Sequence, residues 1–219
     1  MGKLRSTRVE DLLARTLDEL CARPHARVLD IGAGQVVEKN HRAGLHALAE
    51  RYSRLMAKQD YIGLEIGTES KPAVVGDAHR LPFADATMDA VLLVSVLEHL
   101  YDPIRAVDEI SRVLKPGGIF FSYAPFYHPY HASPHDYFRI TTDGYRYLLR
   151  DYDDVQLVSA GNYIAVLNDV VGYPLNQAGR AGRLLSKGLE LPLSLLFHRF
   201  DARLSSRLAV GFGARACKK

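Results

Sequence analysis

The feature that most constrains this chain is an apolar run that ends in an acid and two glycines, Val28-Leu29-Asp30-Ile31-Gly32-Ala33-Gly34. The apolar residues predict a buried strand, and the glycines predict a sharp turn into a helix. A backbone without Cβ can make such a turn and lets a ligand lie directly against the main chain. The amides at the start of the following helix favour a carboxylate or a phosphate. By itself this stretch fits a plain tight turn equally well.

Two later apolar runs also end near an acid. Tyr61–Ile66 includes Glu65, and Ala73–Ala78 includes Asp77. In an open α/β sheet, ligands bind outside the carboxyl ends of the strands, so these two acids and Asp30 are expected to meet there. A carboxylate after the second strand is the usual partner of ribose hydroxyls, and one after the third can reach a purine amine. The pattern therefore predicts a nucleoside-binding edge of the sheet.

Alternating helical and strand patterns predict one α/β domain over 1–219. Its 219 residues, 47% of them hydrophobic, are enough for one core and one elaboration. Pro103 suits the start of a helix, and Lys115-Pro116-Gly117-Gly118 is expected to end it. Helices are expected at 7–21, 43–58, 103–114 and 142–150, and strands after the first at 61–66, 73–78, 90–94, 119–124, 155–160 and 208–216.

Further segments carry a family resemblance. They read GDAHRLPF at 76–83, MDAV at 88–91, LEH at 97–99 and EISRVLKPGG at 109–118. In this order and spacing, over 27–126, the chain resembles the class I S-adenosylmethionine-dependent methyltransferases of the type 11 branch. The family more often has Asp at the position of Glu65, and a Thr-Gly pair where this chain has Gln35-Val36-Val37.

The resemblance implies a Rossmann-like, doubly wound sheet of seven strands, mostly parallel with an antiparallel last strand, and helices on both faces. It also implies S-adenosylmethionine as the cofactor and in-line transfer of its methyl group as the reaction. Glu65 is expected to hold the ribose, and Asp77 with Ala78 to lie against the adenine. The full set of expected cofactor contacts is Asp30, Gly32, Ala33, Gly34, Glu65, Ile66, Asp77, Ala78, His79 and Ser95.

The loop after the fifth strand, residues 125–141, is the candidate acceptor site. Loops at the carboxyl ends of strands four and five face the methyl group in this fold, and His, Asp and Tyr side chains can orient or deprotonate an acceptor. The DYFR segment at 136–139 resembles methyltransferases encoded among glycan and cell-surface polymer genes. Catalytic roles are predicted for His99, His131 and Asp136. Contacts with the acceptor are predicted for Tyr127, His128, His135, Tyr137 and Arg139.

Plainer interpretations of these residues stay open. In one of them, Asp136 and Arg139 form a structural ion pair, the two aromatic residues between them pack in the core, and the histidines only decorate a loop. In another, Glu98 and His99 only fix the loop around the cofactor. These alternatives assign the same residues to folding instead of chemistry.

Metal and disulfide chemistry are both disfavoured. His128, His131 and His135 are three and four residues apart, but prolines interrupt the helix that such a cluster needs. No acid or cysteine completes an evident ligand set, so no metal site is predicted. Cys21 and Cys217 lie at opposite ends without metal or redox spacing, which indicates a reducing compartment. The start of the chain lacks the apolar core of a secretory signal, so a cytoplasmic location is expected.

The C-terminal part of the chain is basic and leucine-rich. From Arg180 onward it carries nine Lys or Arg residues and two acids, a net charge of +7 in a chain whose total is +3. This composition predicts a helical insertion at about 163–205, before the last strand. One interpretation places it on an anionic membrane surface or around a lipid-linked substrate. In the other, two amphipathic helices cover the sheet or pair two subunits. No apolar run is long enough to span a bilayer.

The expected partner is a small-molecule, glycan or lipid-linked acceptor, methylated on oxygen, nitrogen or carbon. The modest overall charge disfavours nucleic acid. A competing hypothesis is a noncatalytic cofactor-binding subunit that docks on a partner or a membrane through its basic segment. A nicotinamide dehydrogenase is a distant third, because Val37 stands where the fingerprint GxGxxG needs its third glycine. Contact with a membrane surface and pairing into a homodimer remain open at this point.

Overall fold

The computed structural model describes residues 9–34, 48–132, 135–161 and 209–219, together with scattered residues between 166 and 188. The helices are α1 (Val9–Ala22), α2 (Ala49–Lys58), α3 (Pro103–Val113) and α4 (Thr142–Leu148), and a short 3-10 helix spans Leu97–His99. The strands are β1 (Arg27–Ile31), β2 (Asp60–Glu65), β3 (Val74–Val75), β4 (Met88–Val94), β5 (Leu114–Pro125), β6 (Tyr152–Ala160) and β7 (Gly211–Lys218).

The strands form one sheet in the order β3-β2-β1-β4-β5-β7-β6. Strands β1 to β5 pair in parallel, whereas β7 runs antiparallel to both β5 and β6. The prediction of a Rossmann-like, doubly wound sheet of seven strands with an antiparallel last strand is therefore confirmed. The strand order reverses between β1 and β4, and ligands of such sheets bind in the crevice at the carboxyl ends beside this point.

Alternate residues of the central strands bury their side chains on opposite faces of the sheet. Leu29, Leu93 and Phe120 belong to the core beneath α3 and α4. Val28, Leu92 and Phe121 belong to the core beneath α1 and α2. Because a strand has a side-chain period of two, apolar residues at successive positions require cover on both sides. The helices on both faces of the sheet provide that cover, as predicted.

The main difference from the expected boundaries is the start of β5. The strand was expected at 119–124, but it begins at Leu114, which is buried and pairs with Met88. The register then shifts, so that Ala90 pairs with Ile119, and the residues between form a bulge that contains Gly117 at φ +72°. The KPGG segment therefore ends α3 at Val113 but lies within the strand, because Leu114 packs into the core before the bulge.

The other differences lie at element ends. β3 has only two residues, which pair with Leu64 and Glu65 at the edge of the sheet. β6 begins at Tyr152 instead of 155, since Tyr152 pairs with Lys218 at the far end of β7. The helix expected at 142–150 ends at Leu148. The expected starts of the first two helices, at 7 and 43, and most of the insertion at 163–205 lie outside the described residues. Within the described part of the chain, no helix combines the length and apolarity that crossing a membrane requires.

Helix α3 holds the loop that follows β3. The side chain of Asp102 caps its first turn by accepting a hydrogen bond from the Arg105 amide, and Pro103 follows the cap as predicted. Near the other end, Arg112 donates to the carbonyls of Leu81 and Phe83 at 3.0 and 2.8 Å. Arg112 also pairs with Glu109, which accepts a hydrogen bond from the Leu81 amide at 2.9 Å. We call this pair with its loop contacts the Glu109–Arg112 clamp.

Removing Arg112 should destabilise the protein, because loop carbonyls and a carboxylate lose a charged partner together. We expect Arg112→Ala to lower the free energy of unfolding by about 2–3 kcal/mol, the magnitude for hydrogen bonds to charged groups. Urea denaturation measures it. The matched control is Arg146→Ala, which breaks an exposed pair with Asp143 and should cost less than about 1 kcal/mol. Equal losses in the two variants would contradict a special role for the clamp.

The clamp also makes stability depend on pH. The hydrogen bond from Arg112 lowers the pKa of Glu109 from its ordinary value of 4.5, against the opposing effect of burial. A carboxyl group with a lowered pKa in the folded state stabilises it above the unfolded pKa and loses this contribution as pH falls. The stability advantage of the natural protein over Glu109→Gln should therefore be constant near neutral pH and shrink below pH 4.5. Urea titrations at several pH values measure it, and a constant difference would contradict the assignment.

Candidate functional site

The turn after β1 uses its glycines in the way the sequence predicts. Gly32 has φ +70° and Gly34 has φ +41°, both in the left-handed region that favours glycine. The amide of Gly32 donates to the carbonyl of Leu64 at 2.8 Å, which ties the turn to the end of β2. A Cβ on Gly63 would lie 3.1 Å from Cβ of Ala33, so this glycine lets β2 approach the turn closely.

A cleft of about 380 Å³ opens beside this turn, at the carboxyl ends of β1, β2 and β4. Its lining combines apolar walls, such as Leu64, Val96 and Leu100, with a few polar groups, which is typical of a small-molecule site. Most of the expected cofactor contacts line it: Gly32, Glu65, Ile66, Asp77, Ala78, His79 and Ser95. The structure thus brings residues from separate segments of the chain to one place.

One wall of the cleft is a fixed arrangement around His79. Its Nδ1 contacts Oδ1 of Asp77 at 2.6 Å, and its Nε2 accepts a hydrogen bond from the Asp102 amide at 3.3 Å. Partial burial would raise the pKa of Asp77, but hydrogen bonds from the amide and ring of His79 lower it overall. The His79 ring stacks on Tyr101 with 3.9 Å between centroids. Tyr101 is 58% exposed and lines the cleft, and sequence reasoning missed it.

Another residue of the cleft has an unusual backbone conformation. Ser95 has φ +54°, and its amide donates to the carbonyl of Tyr123 at 2.9 Å. Left-handed backbone is costly for a residue other than glycine and tends to occur at functional sites. Nothing in the sequence around Ser95 indicates this conformation, since no glycine or asparagine stands there.

Three expected cofactor contacts, Asp30, Ala33 and Gly34, are not in the lining of the cleft. Asp30 is buried, with 4% of its surface exposed, and accepts a hydrogen bond from the Tyr61 hydroxyl at 2.6 Å. Burial raises the pKa of Tyr61, and the charge of Asp30 raises it further, so the hydroxyl stays a donor. Asp30 therefore supports the turn from the interior. Its contact with a cofactor stays a prediction.

The expected acceptor residues divide between two cavities. His99, His135 and Tyr137 line the cleft already described. Tyr127, His128 and Arg139 line a second cavity of about 400 Å³, together with Phe126, Pro129 and two residues from the region of the expected insertion, Val170 and Pro174. A single loop after β5 therefore takes part in both cavities.

Asp136 lines neither cavity. Both of its oxygens accept hydrogen bonds from the Arg139 guanidinium, and Oδ2 also accepts from the amide of His131 at 3.0 Å. The guanidinium holds the pKa of Asp136 far below its usual range, against the effect of burial. This geometry agrees with a structural ion pair and makes Asp136 a poor proton acceptor. The same interpretation predicts that Tyr137 and Phe138 pack in the core. This part is wrong, because the two residues are 47% and 39% exposed.

Behind the cleft, Glu98 meets two histidines. Its carboxylate is fully buried, and Oε1 lies 3.7 Å from Nε2 of His99 and 3.8 Å from Nε2 of His131. The carbonyl of Glu98 accepts hydrogen bonds from the amides of Tyr137 and Phe138 at 2.8 and 3.2 Å, which fastens the loop after β5 to the turn after β4. The two predicted catalytic histidines are thus neighbours, with ring centroids 5.1 Å apart. Sequence reasoning did not join His131 to Glu98.

The fold and the cleft define a class of protein. Residues 29–122 match the family profile described as a methyltransferase domain. This match runs from β1 into β5 and contains the glycine turn, the acids after β2 and β3, and the Glu109–Arg112 clamp. Over these residues the chain is similar to the class I, S-adenosylmethionine-dependent methyltransferases.

One curated relative and two solved structures are similar to this chain. A demethylmenaquinone methyltransferase from Renibacterium salmoninarum is 37% identical over 118 residues, which cover 52% of this chain and 46% of that protein. The chain spans less than half of the length of the curated relatives it matches. An Archaeoglobus fulgidus SAM-dependent methyltransferase shares the fold with a TM-score of 0.57 and 16% identity, covering 96% and 93% of the two chains. The [4+2]-cyclase SpnF shares the fold with a TM-score of 0.54 and 19% identity, and the match covers 95% of this chain and 81% of the cyclase chain.

The left-handed backbone at Gly32 predicts a cost for any side chain there. Gly32→Ala should lower the free energy of unfolding by about 1–2 kcal/mol, the penalty for left-handed backbone in other residues. The control is Gly188→Ala, at a helical position where a Cβ would meet nothing within 4 Å. That variant should be neutral or up to about 1 kcal/mol more stable. Thermal or urea unfolding compares the two, and an equal effect would contradict the assignment of strain to the turn.

Proposed function

We propose that this protein transfers the methyl group of S-adenosylmethionine to a small-molecule acceptor. The observation that carries the proposal is the cleft at the carboxyl ends of β1, β2 and β4, lined by the glycine turn and by the acids after β2 and β3. The family match over 29–122 supports the choice of cofactor.

The residues present suit the proposed cofactor. Glu65 lies at the end of β2 and provides a carboxylate for ribose hydroxyls, while Asp77 and the apolar wall of Leu64, Ala78 and Leu100 suit an adenine. At the end of the cleft formed by the turn after β1, Gly32 offers only its backbone to a ligand, and Gly63 lets β2 lie close to this turn. Each feature provides either an oriented polar group or an apolar surface, as nucleoside binding requires.

When bound, S-adenosylmethionine supplies an electrophilic methyl group on its sulfonium. The protein then mainly has to align the acceptor and exclude water, because these effects can supply most of the acceleration. Ser95, His99, His135 and Tyr137 line the same cleft and are proposed to face the acceptor. His99 or His131 accepts a proton only where the acceptor is protonated at the working pH.

The acceptor is proposed to have an apolar body that occupies the second cavity. Phe126, Tyr127, Pro129, Val170 and Pro174 give this cavity a largely apolar wall. A relative of this chain is named a demethylmenaquinone methyltransferase, which makes a lipid-linked ring compound a reasonable first candidate. Glycan and other lipid-linked acceptors are the alternatives, and the basic C-terminal segment is proposed to help bind a membrane-borne substrate.

Calorimetric titration with S-adenosylmethionine and S-adenosylhomocysteine, with NAD in parallel, tests the cofactor. We expect both sulfur nucleotides to bind and Glu65→Ala to weaken them about 10- to 100-fold, the equivalent of a hydrogen bond to a charged group. Glu50→Ala is the matched control, since that carboxylate is 88% exposed on α2. If neither sulfur nucleotide binds, or if NAD binds more tightly, the proposal is contradicted.

A second measurement separates an enzyme from a noncatalytic cofactor-binding subunit. The protein is incubated with cofactor labelled in the methyl group and with extracts of quinols, lipids or glycans, and label in the acceptor fraction is counted. Transfer in any fraction, absent without the protein, supports a methyltransferase. Tight binding without transfer from any of these classes would favour the noncatalytic alternative.

A further inference from the structure

Glu98, His99 and His131 form a cluster that the proposed methyl transfer does not fully explain. One carboxylate oxygen and one nitrogen from each ring all lie within 4.8 Å of one another. The three residues come from two loops, Glu98 and His99 from the turn after β4 and His131 from the loop after β5. We propose that this cluster binds one divalent transition-metal ion beside the cofactor cleft.

The hydrogen bonds of the two rings support this assignment. Nδ1 of His99 contacts the carbonyl of His135 at 2.5 Å, and Nδ1 of His131 contacts the carbonyl of Pro129 at 3.0 Å. A carbonyl only accepts, so each Nδ1 must carry the proton. In the neutral rings both Nε2 atoms then present lone pairs toward Glu98. Histidines that ligate metals have this same arrangement, in which the second nitrogen donates to a carbonyl or carboxylate.

The distances also agree better with a shared cation than with direct hydrogen bonds. The separations of 3.7 and 3.8 Å between Oε1 of Glu98 and the two Nε2 atoms exceed the usual 2.7–3.2 Å of a hydrogen bond. Ligand atoms about 2.1 Å from a tetrahedral ion lie roughly 3.4 Å apart, so these two separations need to close by only about 0.3–0.4 Å, while the two imidazole nitrogens lie within 4.8 Å of each other. A fully buried carboxylate is costly when ionised unless positive charge lies close to it. Arg139 already interacts electrostatically with Glu98, and a metal ion would add a second positive charge.

The surroundings hold the three ligands in place. The amides of Tyr137 and Phe138 donate to the carbonyl of Glu98 itself, which joins the two loops at the cluster. Asp136 accepts a hydrogen bond from the amide of His131 and is held in turn by Arg139. This network orients the ligands before an ion binds, which reduces the cost of ordering them. Asp136 and Arg139 thereby gain a role as positioning residues.

Two imidazole nitrogens and one carboxylate oxygen suit Zn²⁺, Fe²⁺, Mn²⁺ or Co²⁺. Three protein ligands leave at least one coordination position open. His99 also lines the cofactor cleft, so the ion lies next to the space proposed for the acceptor. This part rests on the proposed function and replaces its histidine base: with both histidines bound to the ion, the ion binds an acceptor hydroxyl oxygen and lowers its pKa, and the proton passes to solvent. The new O–CH₃ bond then forms as the S–CH₃ bond of the cofactor breaks.

The proposed metal site uses other residues than the histidines for which the sequence predicted no metal site. That prediction considered spacing within the loop alone, among His128, His131 and His135. The proposed cluster takes Glu98 and His99 in place of His128 and His135, and these two residues lie more than thirty positions before His131. His128 packs edge-on against His131 with centroids 4.7 Å apart and is not one of the three ligands.

Metal binding by the full chain, free of any affinity tag and treated with a chelator, tests the proposal. Titration with Zn²⁺ in a calorimeter should give one ion per chain, and Co²⁺ should give visible absorption bands of a low-symmetry nitrogen and oxygen site. His99→Gln and His131→Gln should each weaken Zn²⁺ binding by more than about tenfold, since even outer-shell changes cost 10–100-fold. His25→Gln is the control, because this exposed histidine lies before β1, away from the cluster.

Each outcome decides the proposal. Binding of one ion that is lost in both cluster variants and kept in His25→Gln supports the site. No binding, or equal weakening in all three variants, overturns it. Titration of the same variants with S-adenosylhomocysteine reports on folding and on the cofactor cleft separately. If the natural protein binds S-adenosylhomocysteine but no metal ion, the metal site is contradicted and the proposed function is not.

Discussion

The site depends on the way Glu98 joins two loops that are distant in sequence. Its carbonyl accepts hydrogen bonds from the amides of Tyr137 and Phe138, and its buried carboxylate lies near His99 and His131. Together with the contact between His99 and the carbonyl of His135, these interactions hold the loop after β5 against the end of β4. A fully buried acid is an expensive way to join loops, because its charge must be balanced inside the protein. The proposed role of Glu98 as a metal ligand gives a reason for burying an acid at this position.

In the rest of the molecule, the residues that stabilise the fold are largely distinct from those that line the two cavities. The sheet and its two layers of helices fix the carboxyl ends of the strands, and the Glu109–Arg112 clamp fixes the loop after β3. The clamp residues lie outside the cleft lining, and they hold Leu81 and Phe83 in the loop that also carries Asp77 and His79. The residues of the two cavities come mostly from loops, as is usual where a rigid scaffold presents variable functional segments. The loop after β5 contributes to both cavities.

Much of the cofactor side could be predicted from sequence, whereas less of the acceptor side could. Gly32, Glu65 and Asp77 each directly follow or end an apolar run, so strand periodicity alone brings them to one edge of a parallel sheet. The acceptor loop has no such regular pattern. Its prolines and histidines indicate a functional loop, but side-chain contacts decide that Asp136 pairs with Arg139 while His131 turns toward Glu98. Tyr101 and the left-handed Ser95 have no sequence signal of their own.

Local sequence patterns are enough to predict the alternation of helices and strands, the glycine turn after β1 and the acids at the ends of β2 and β3. These follow from local rules, since apolar periodicity and backbone freedom depend on neighbouring residues. Contacts within the folded chain place β7 between β5 and β6, start β5 at Leu114 before a bulge, and bring Glu98 to His131. Each of these depends on pairing or packing between residues far apart in the chain, where many alternatives have similar local propensity and only the assembled core selects one.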